Sequence, residues 1–196
     1  SYGTRQLGVS MAALNLGSAE AIAQAAAAGA LPAGMTMNQM VLQQLLRGNV
    51  ATGAPALDTL SLVARDSVNV FGSVDLDARD SATGVGSLRT LVLGAQAIHG
   101  YGNASDRARI LVDTLVWDGA LAATQATGSN VAVPPSEPMV DRLGDGQLDI
   151  VTRTLTLGRA PYSRPSSEVA ANRQVLGFSA LNLGASEQMV FSAKGT

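Results

Sequence analysis

Short stretches of alternating apolar and polar residues dominate the chain, and their most frequent form is Leu-x-Leu-Gly. It stands at Leu14-Asn15-Leu16-Gly17, Leu91-Val92-Leu93-Gly94, Leu155-Thr156-Leu157-Gly158 and Leu181-Asn182-Leu183-Gly184, with Leu60-Ser61-Leu62 as a variant without the glycine. In an extended chain residues two apart share a face, so each motif sets two leucines on one side and a mostly polar residue on the other. Val68-Asn69-Val70, Val74-Asp75-Leu76, residues 110–117 and Leu148-Asp149-Ile150-Val151 follow the same grammar. The pattern predicts short strands separated by Gly, Ser, Asp and Asn, and hence an all-β protein.

Repetition selects the architecture. Similar strands that recur every few tens of residues, each too short to bury a face alone, are the mark of a solenoid whose coils stack on one interior. A sandwich or barrel needs hairpins, but Asp145-Gly146 precedes a single strand and Asp118-Gly119 follows one with no clear returning partner. The spacing of the anchors is irregular, so insertions interrupt the coils. Residues 18–48 predict two short helices: Ser18 caps the run from Ala19 to Ala28, which Gly29 ends, and Thr36-Met37-Asn38-Gln39 reads as a capping box before Met40, Val41, Leu42, Leu45 and Leu46. Residues 122–145, with Pro134, Pro135 and Pro138, and residues 158–172, with Pro161 and Pro165, predict loops that leave the stack. No stretch reads as a linker, so residues 1–196 are expected to form one β-solenoid segment.

Composition narrows the function classes. Hydrophobic residues make up 46% but aromatics only 4% and charged residues 14%, so small aliphatic side chains must fill a narrow, repetitive core. A net charge of -2 offers no basic surface for nucleic acid. With no cysteine there is neither a disulfide nor a thiolate metal site. No apolar run approaches the ~20 residues of a membrane span. The chain opens on Ser1-Tyr2-Gly3 without a visible signal peptide, and the repeats favour a segment of a longer chain.

With Leu60 to Leu76, Leu88 to Tyr101 and Gly146 to Gly158 laid side by side, the pattern resembles the repeat interior of filamentous-haemagglutinin-like exoproteins. The carriers are the string Leu60-Ser61-Leu62-Val63-Ala64-Arg65-Asp66-Ser67-Val68-Asn69-Val70-Phe71-Gly72-Ser73-Val74 and the opening Leu143-Gly144-Asp145-Gly146-Gln147-Leu148-Asp149-Ile150. The likeness runs from Leu57 onward. It implies a right-handed parallel β-helix, a bacterial cell-surface or extracellular location reached by two-partner secretion, and a rigid stalk that mediates or presents attachment. Implied partners are the rest of a longer chain at both ends, an outer-membrane transporter during secretion, and surface glycans or proteins. The family's secretion domain carries Asn-Pro-Asn, which is absent here, and Arg47-Gly48-Asn49 stands where some members carry Arg-Gly-Asp.

Candidate chemistry is sparse. His99, the single histidine, neighbours Tyr101; the pair suggests a haem ligand set, against an ordinary coil corner with an outward imidazole. Asp141, Asp145 and Asp149 fall four apart, with Arg153 beyond them, and Asp75, Asp77 and Asp80 form a second acidic group. On a β-helix such carboxylates can hold Ca2+ beside a basic proton acceptor, which makes a polysaccharide-lyase-like enzyme the alternative reading. Against it, Gly144-Asp145-Gly146 is turn chemistry and Asp149 lies on a polar strand face. Trp117 is read as packing rather than as a sugar platform, and Met35, Met37 and Met40 as part of a helix that covers a coil face. The reading favoured is therefore a non-enzymatic structural or adhesive segment, with no catalytic, cofactor or metal residues assigned. Open solenoid ends tend to pair with other chains, so the isolated chain is expected to self-associate end to end. Light scattering that shows only monomer at every concentration would count against a stack with open edges.

Overall fold

The computed structural model describes residues 5–47, 56–77, 88–119, 143–158 and 173–191. Strand accounts for 63% of them, in β1 (Gln6–Gly17), β2 (Met35–Asn38), β3 (Thr59–Phe71), β4 (Val74–Asp77), β5 (Thr90–Ala95), β6 (Ala97–Gly100), β7 (Arg107–Trp117), β8 (Gly146–Leu157), β9 (Gln174–Leu176) and β10 (Phe178–Phe191). All ten belong to one sheet, and every pairing among the described residues is parallel. The chain is thus all-β with a parallel, solenoid-like sheet and two short helices.

Pairing falls into three ladders, because long strands turn a corner and contribute to two of them. The first runs through β1, β3, β5, the end of β7, the end of β8 and the end of β10, with Leu7, Leu60, Leu91, Leu115, Leu155 and Met189 in one register column. The second runs through β2, the end of β1, the end of β3, β6 and β9, aligning Leu14, Val68, Ile98 and Val175. The third takes β4 and the starts of β7, β8 and β10, aligning Val74, Ala108, Leu148 and Leu181. Each Leu-x-Leu anchor sits in such a column: Leu60/Leu62, Leu91/Leu93 and Leu155/Leu157 stack in the first ladder, Leu14/Leu16 in the second and Leu181/Leu183 in the third. Leu14, Leu16, Leu60, Leu62, Leu91, Leu93 and Leu155, with Val70, Leu76, Ile150 and Trp117, form one continuous core cluster against which Leu157 and Leu183 pack, while Leu181 is exposed.

Corners have local causes. Gly72 and Gly177 both lie where the chain passes from the second ladder to the third, and both hold left-handed φ, +68° and +77°, a region that L side chains avoid. At the corner between the first and second ladders, β3 carries an extra residue relative to β1, and the register shifts between Met11 and Ala13; a bulge of this kind bends the strand.

Helix α1 (Ala19–Ala27) begins on Ser18, whose Oγ accepts from the Ala21 amide at 3.1 Å, and Gly29 follows it with φ +66°. Helix α2 (Gln39–Arg47) departs from the expected capping box. Its cap is Asn38, whose Oδ1 accepts from the Val41 amide at 3.0 Å, while Thr36 lies in β2 opposite Asn15. Parallel pairing to β1 satisfies the backbone of residues 35–38 better than one extra helical turn would. Leu42 and Leu46 of α2 are buried in the core, so the helix covers an apolar coil face as the leucine pattern predicted, but the methionines depart from that reading: Met35 and Met37 lie in strand β2 and Met40 is exposed. Gln39 imitates a strand on the free edge of β4, donating from Nε2 to the Asp75 carbonyl at 2.6 Å and accepting from the Asp75 amide at 2.8 Å.

Column position decides what truncation costs. Leu115 is fully buried at mid-ladder, whereas Leu181 on the last strand is 41% exposed. Leu115→Ala is expected to lower stability in urea denaturation by about 2–5 kcal/mol, and Leu181→Ala by about 0.5 kcal/mol, the range of a surface change. Equal losses at the two sites would contradict the stacked arrangement.

Candidate functional site

The outward side of the stack is organised by charge. At the corner where the third ladder meets the first, Arg5, Asp58, Arg89, Asp113, Arg153 and Glu187 succeed one another across neighbouring strands, so cation and anion alternate along the axis. Arg5 Nη1 lies 3.3 Å from Asp58 Oδ1. Arg153 spans three strands: its Nε and Nη2 donate to Asp113 at 2.7 and 3.0 Å, and its Nη1 donates to Glu187 at 2.6 Å. The hydrogen bond from Arg153 holds the Asp113 carboxyl below its usual range, with the field of Arg89 acting the same way; the two carboxylates in turn raise the Arg153 guanidinium.

A second charged file runs along the third ladder. Asp75 faces Arg109 at 3.7 Å, Arg107 meets Asp149 at 3.2 Å, and Asn182 donates to Asp149 Oδ1 at 2.6 Å. Asp149 and Arg153, two members of the lyase-like set, are thus engaged with separate partners on neighbouring strands. Asp145 is exposed in the turn before β8, and Asp141 lies outside the described residues, as does Asp80. Asp77 ends β4. Among the described residues no three His, Asp or Glu side chains are placed to hold a metal ion, and no helix is long and apolar enough to cross a membrane.

His99 is not at an outward corner. It lies on β6 with no exposed surface, in register with Asn69 and Leu176, its ring edge-on to Tyr101 with centroids 6.5 Å apart. Below it runs a buried polar file on the strand side opposite the leucines. Asn69 Nδ2 donates to Asn15 Oδ1 at 3.0 Å, Ser67 Oγ donates to Asn69 Oδ1 at 3.0 Å, and Asn15 Nδ2 donates to the Pro32 carbonyl at 2.8 Å. Pairing of this kind is what makes a buried amide tolerable. Its only sequence signal was the same residue type at the centre of Leu14-Asn15-Leu16 and Val68-Asn69-Val70. Trp117 is buried in the core and donates from Nε1 to the Ala95 carbonyl at 2.7 Å, which bears out packing.

Above the core, the outward side of the first ladder carries Gln6, Thr59, Thr90, Thr114, Thr154 and Gln188 in register. An open groove of about 350 Å³ lies among Gln6, Gly8, Thr59, Ser61 and Thr90. Arg47 ends α2, while Gly48, Asn49 and nearly all of the two proline-bearing loops lie outside the described residues. No family model, curated protein or solved structure matches the chain.

Because Asp113 titrates lower in the folded chain than in the unfolded one, its pairing with Arg153 is fully present above the unfolded value of about 3.9 and is lost as pH falls through the folded value. Thermal melts of Asp113→Asn are expected to lie below those of the parent at pH 7, and the two should converge in strong acid. A difference that stayed constant across that range would show that Asp113 stabilises by some means other than its charge.

Proposed function

We propose that this chain is a structural, adhesive segment of a large bacterial surface-exposed or secreted exoprotein, in which a right-handed parallel β-helix forms a rigid stalk that mediates or presents attachment. The observation that carries this reading is the in-register succession of apolar columns and alternating charges along one axis. Backbone ladders spaced about 4.8 Å apart resist bending and stretching along that axis, and a solenoid of this kind grows by adding coils rather than by enlarging its core. The resemblance of residues from Leu57 onward to filamentous-haemagglutinin-like repeats supports the same reading, as does the use of Asp149 and Arg153 in separate cross-strand pairs.

The outward face of the first ladder offers threonines at regular spacing, a surface suited to hydrogen-bonding an extended polymer of glycan or polypeptide. Beads coated with the chain are expected to adhere to host or bacterial cells, and soluble chain should compete with that adhesion. Calcium titration by calorimetry should give no specific heat, and acidic polysaccharides should yield no ultraviolet-absorbing products. Calcium-dependent release of such products, with no adhesion, would overturn the proposal in favour of a polysaccharide lyase.

A further inference from the structure

At the β1 end of the stack, the chain itself occupies the first place in two of the three ladders. The second ladder opens with β2, which pairs with the end of β1 through Met35, Thr36, Met37 and Asn38 and has no strand on its other side among the described residues. The return of the chain into β2 is tight, since a Cβ on Gly34 would collide with the Ala13 carbonyl oxygen. The third ladder opens with β4. Although β4 is the first strand of its ladder, Val74 and Leu76 are only 6% and 2% exposed, close to Leu148 and Ile150 farther along. Helix α2 packs against this strand: the Gln39 side chain takes both backbone groups of Asp75, and Leu42 and Leu46 join the core cluster that holds Val74 and Leu76. The exposed residues of α2 are Met40, Val41, Gln44 and Arg47, too mixed to start another apolar column.

We propose that α2 is the terminal cap of this solenoid, so that the stack of the whole exoprotein begins at β1, β2 and α2 and takes further coils only on the β10 side. A complete coil ahead of β1 would need one strand on β2 and another on β4, and α2 holds the second place. Repeat stacks need an end unit that turns a more polar face to water. A helix laid over one edge and a very short strand at the next are also how sheets avoid unwanted pairing; β2 has four residues. Chain ahead of residue 5 can therefore lengthen the first ladder alone, by a strand on the edge of residues 6–11, and must then leave the stack. The end is closed by a helix from within the chain, so this holds wherever the sequence starts. It rests on the reading of the chain as part of a longer solenoid, and not on whether that solenoid adheres to cells.

Amide hydrogen exchange at two chain lengths tests it. In residues 1–196, Gln39→Ala should speed deuterium exchange at the Asp75 amide by about tenfold, as expected for the loss of one hydrogen bond, while the amides of β8 keep the parent's rates. Extending the chain by the residues that precede Ser1 in the full-length product should leave both the Asp75 rate and its response to Gln39→Ala unchanged, and residues 35–38 should gain no protection. The proposal is overturned if Asp75 keeps the parent's rate in Gln39→Ala, or if Asp75 and β8 accelerate alike. It is equally overturned if the longer chain makes Asp75 insensitive to Gln39→Ala or protects residues 35–38, because a strand would then stand where the stack is held to end. Loss of cell adhesion with these exchange rates intact would instead count against the adhesive role and leave the cap in place.

Discussion

Parallel pairing in strict register is the constraint on which everything else in this chain rests. A single strand here buries one row of two or three aliphatic side chains, far too little to hold its backbone in place against conformational entropy. Stacked on its neighbours, each row becomes a member of a column, and the column is continuous only if every strand keeps the same phase. The side-chain period of two makes the arrangement all-or-none, since a one-residue slip exchanges inside for outside along a whole strand. Leu60, Leu91, Leu115 and Leu155, all without exposed surface, are the centre of the column that would be lost.

The polar groups reinforce that register from both sides of the backbone. Outside, alternating charges penalise any slip that would set like beside like, even though each exposed pair contributes little by itself. Inside the second ladder, Asn15 and Asn69 can satisfy each other's amides only when their strands are aligned, because a buried amide without its partner costs more than the bond returns. Trp117 locks the first ladder in the same way through the Ala95 carbonyl. Hydrophobic columns therefore supply most of the stabilisation, and hydrogen-bonded files supply the uniqueness of the alignment.

What the sequence disclosed follows the range of each interaction. Strands, their inward leucines and both helices rest on local alternation and capping, so Leu-x-Leu anchors and Ser18 were readable directly. The cap of α2 was misplaced because Thr36 and Asn38 both suit an N-terminal position, and only tertiary pairing with β1 decides between them. The charge ladder was invisible for a different reason. Arg5 and Asp58 are 53 residues apart, Asp113 and Arg153 are 40, and Arg153 and Glu187 are 34, and unequal excursions between coils hide the phase that aligns them. His99 was assigned to the surface, and the asparagines only to the side opposite the leucines, because alternation tells one side of a strand from the other, but not whether the second side is also covered.

The most direct test of the stacked register uses spin-label pairs that share residue 6 and place the second label at residue 114, 154 or 188, with labelled chains diluted into unlabelled protein. Electron–electron distances should increase in that order by about 4.8 Å per strand step. An order that departs from the sequence of the ladder, or a distance to residue 188 shorter than that to residue 114, would contradict it.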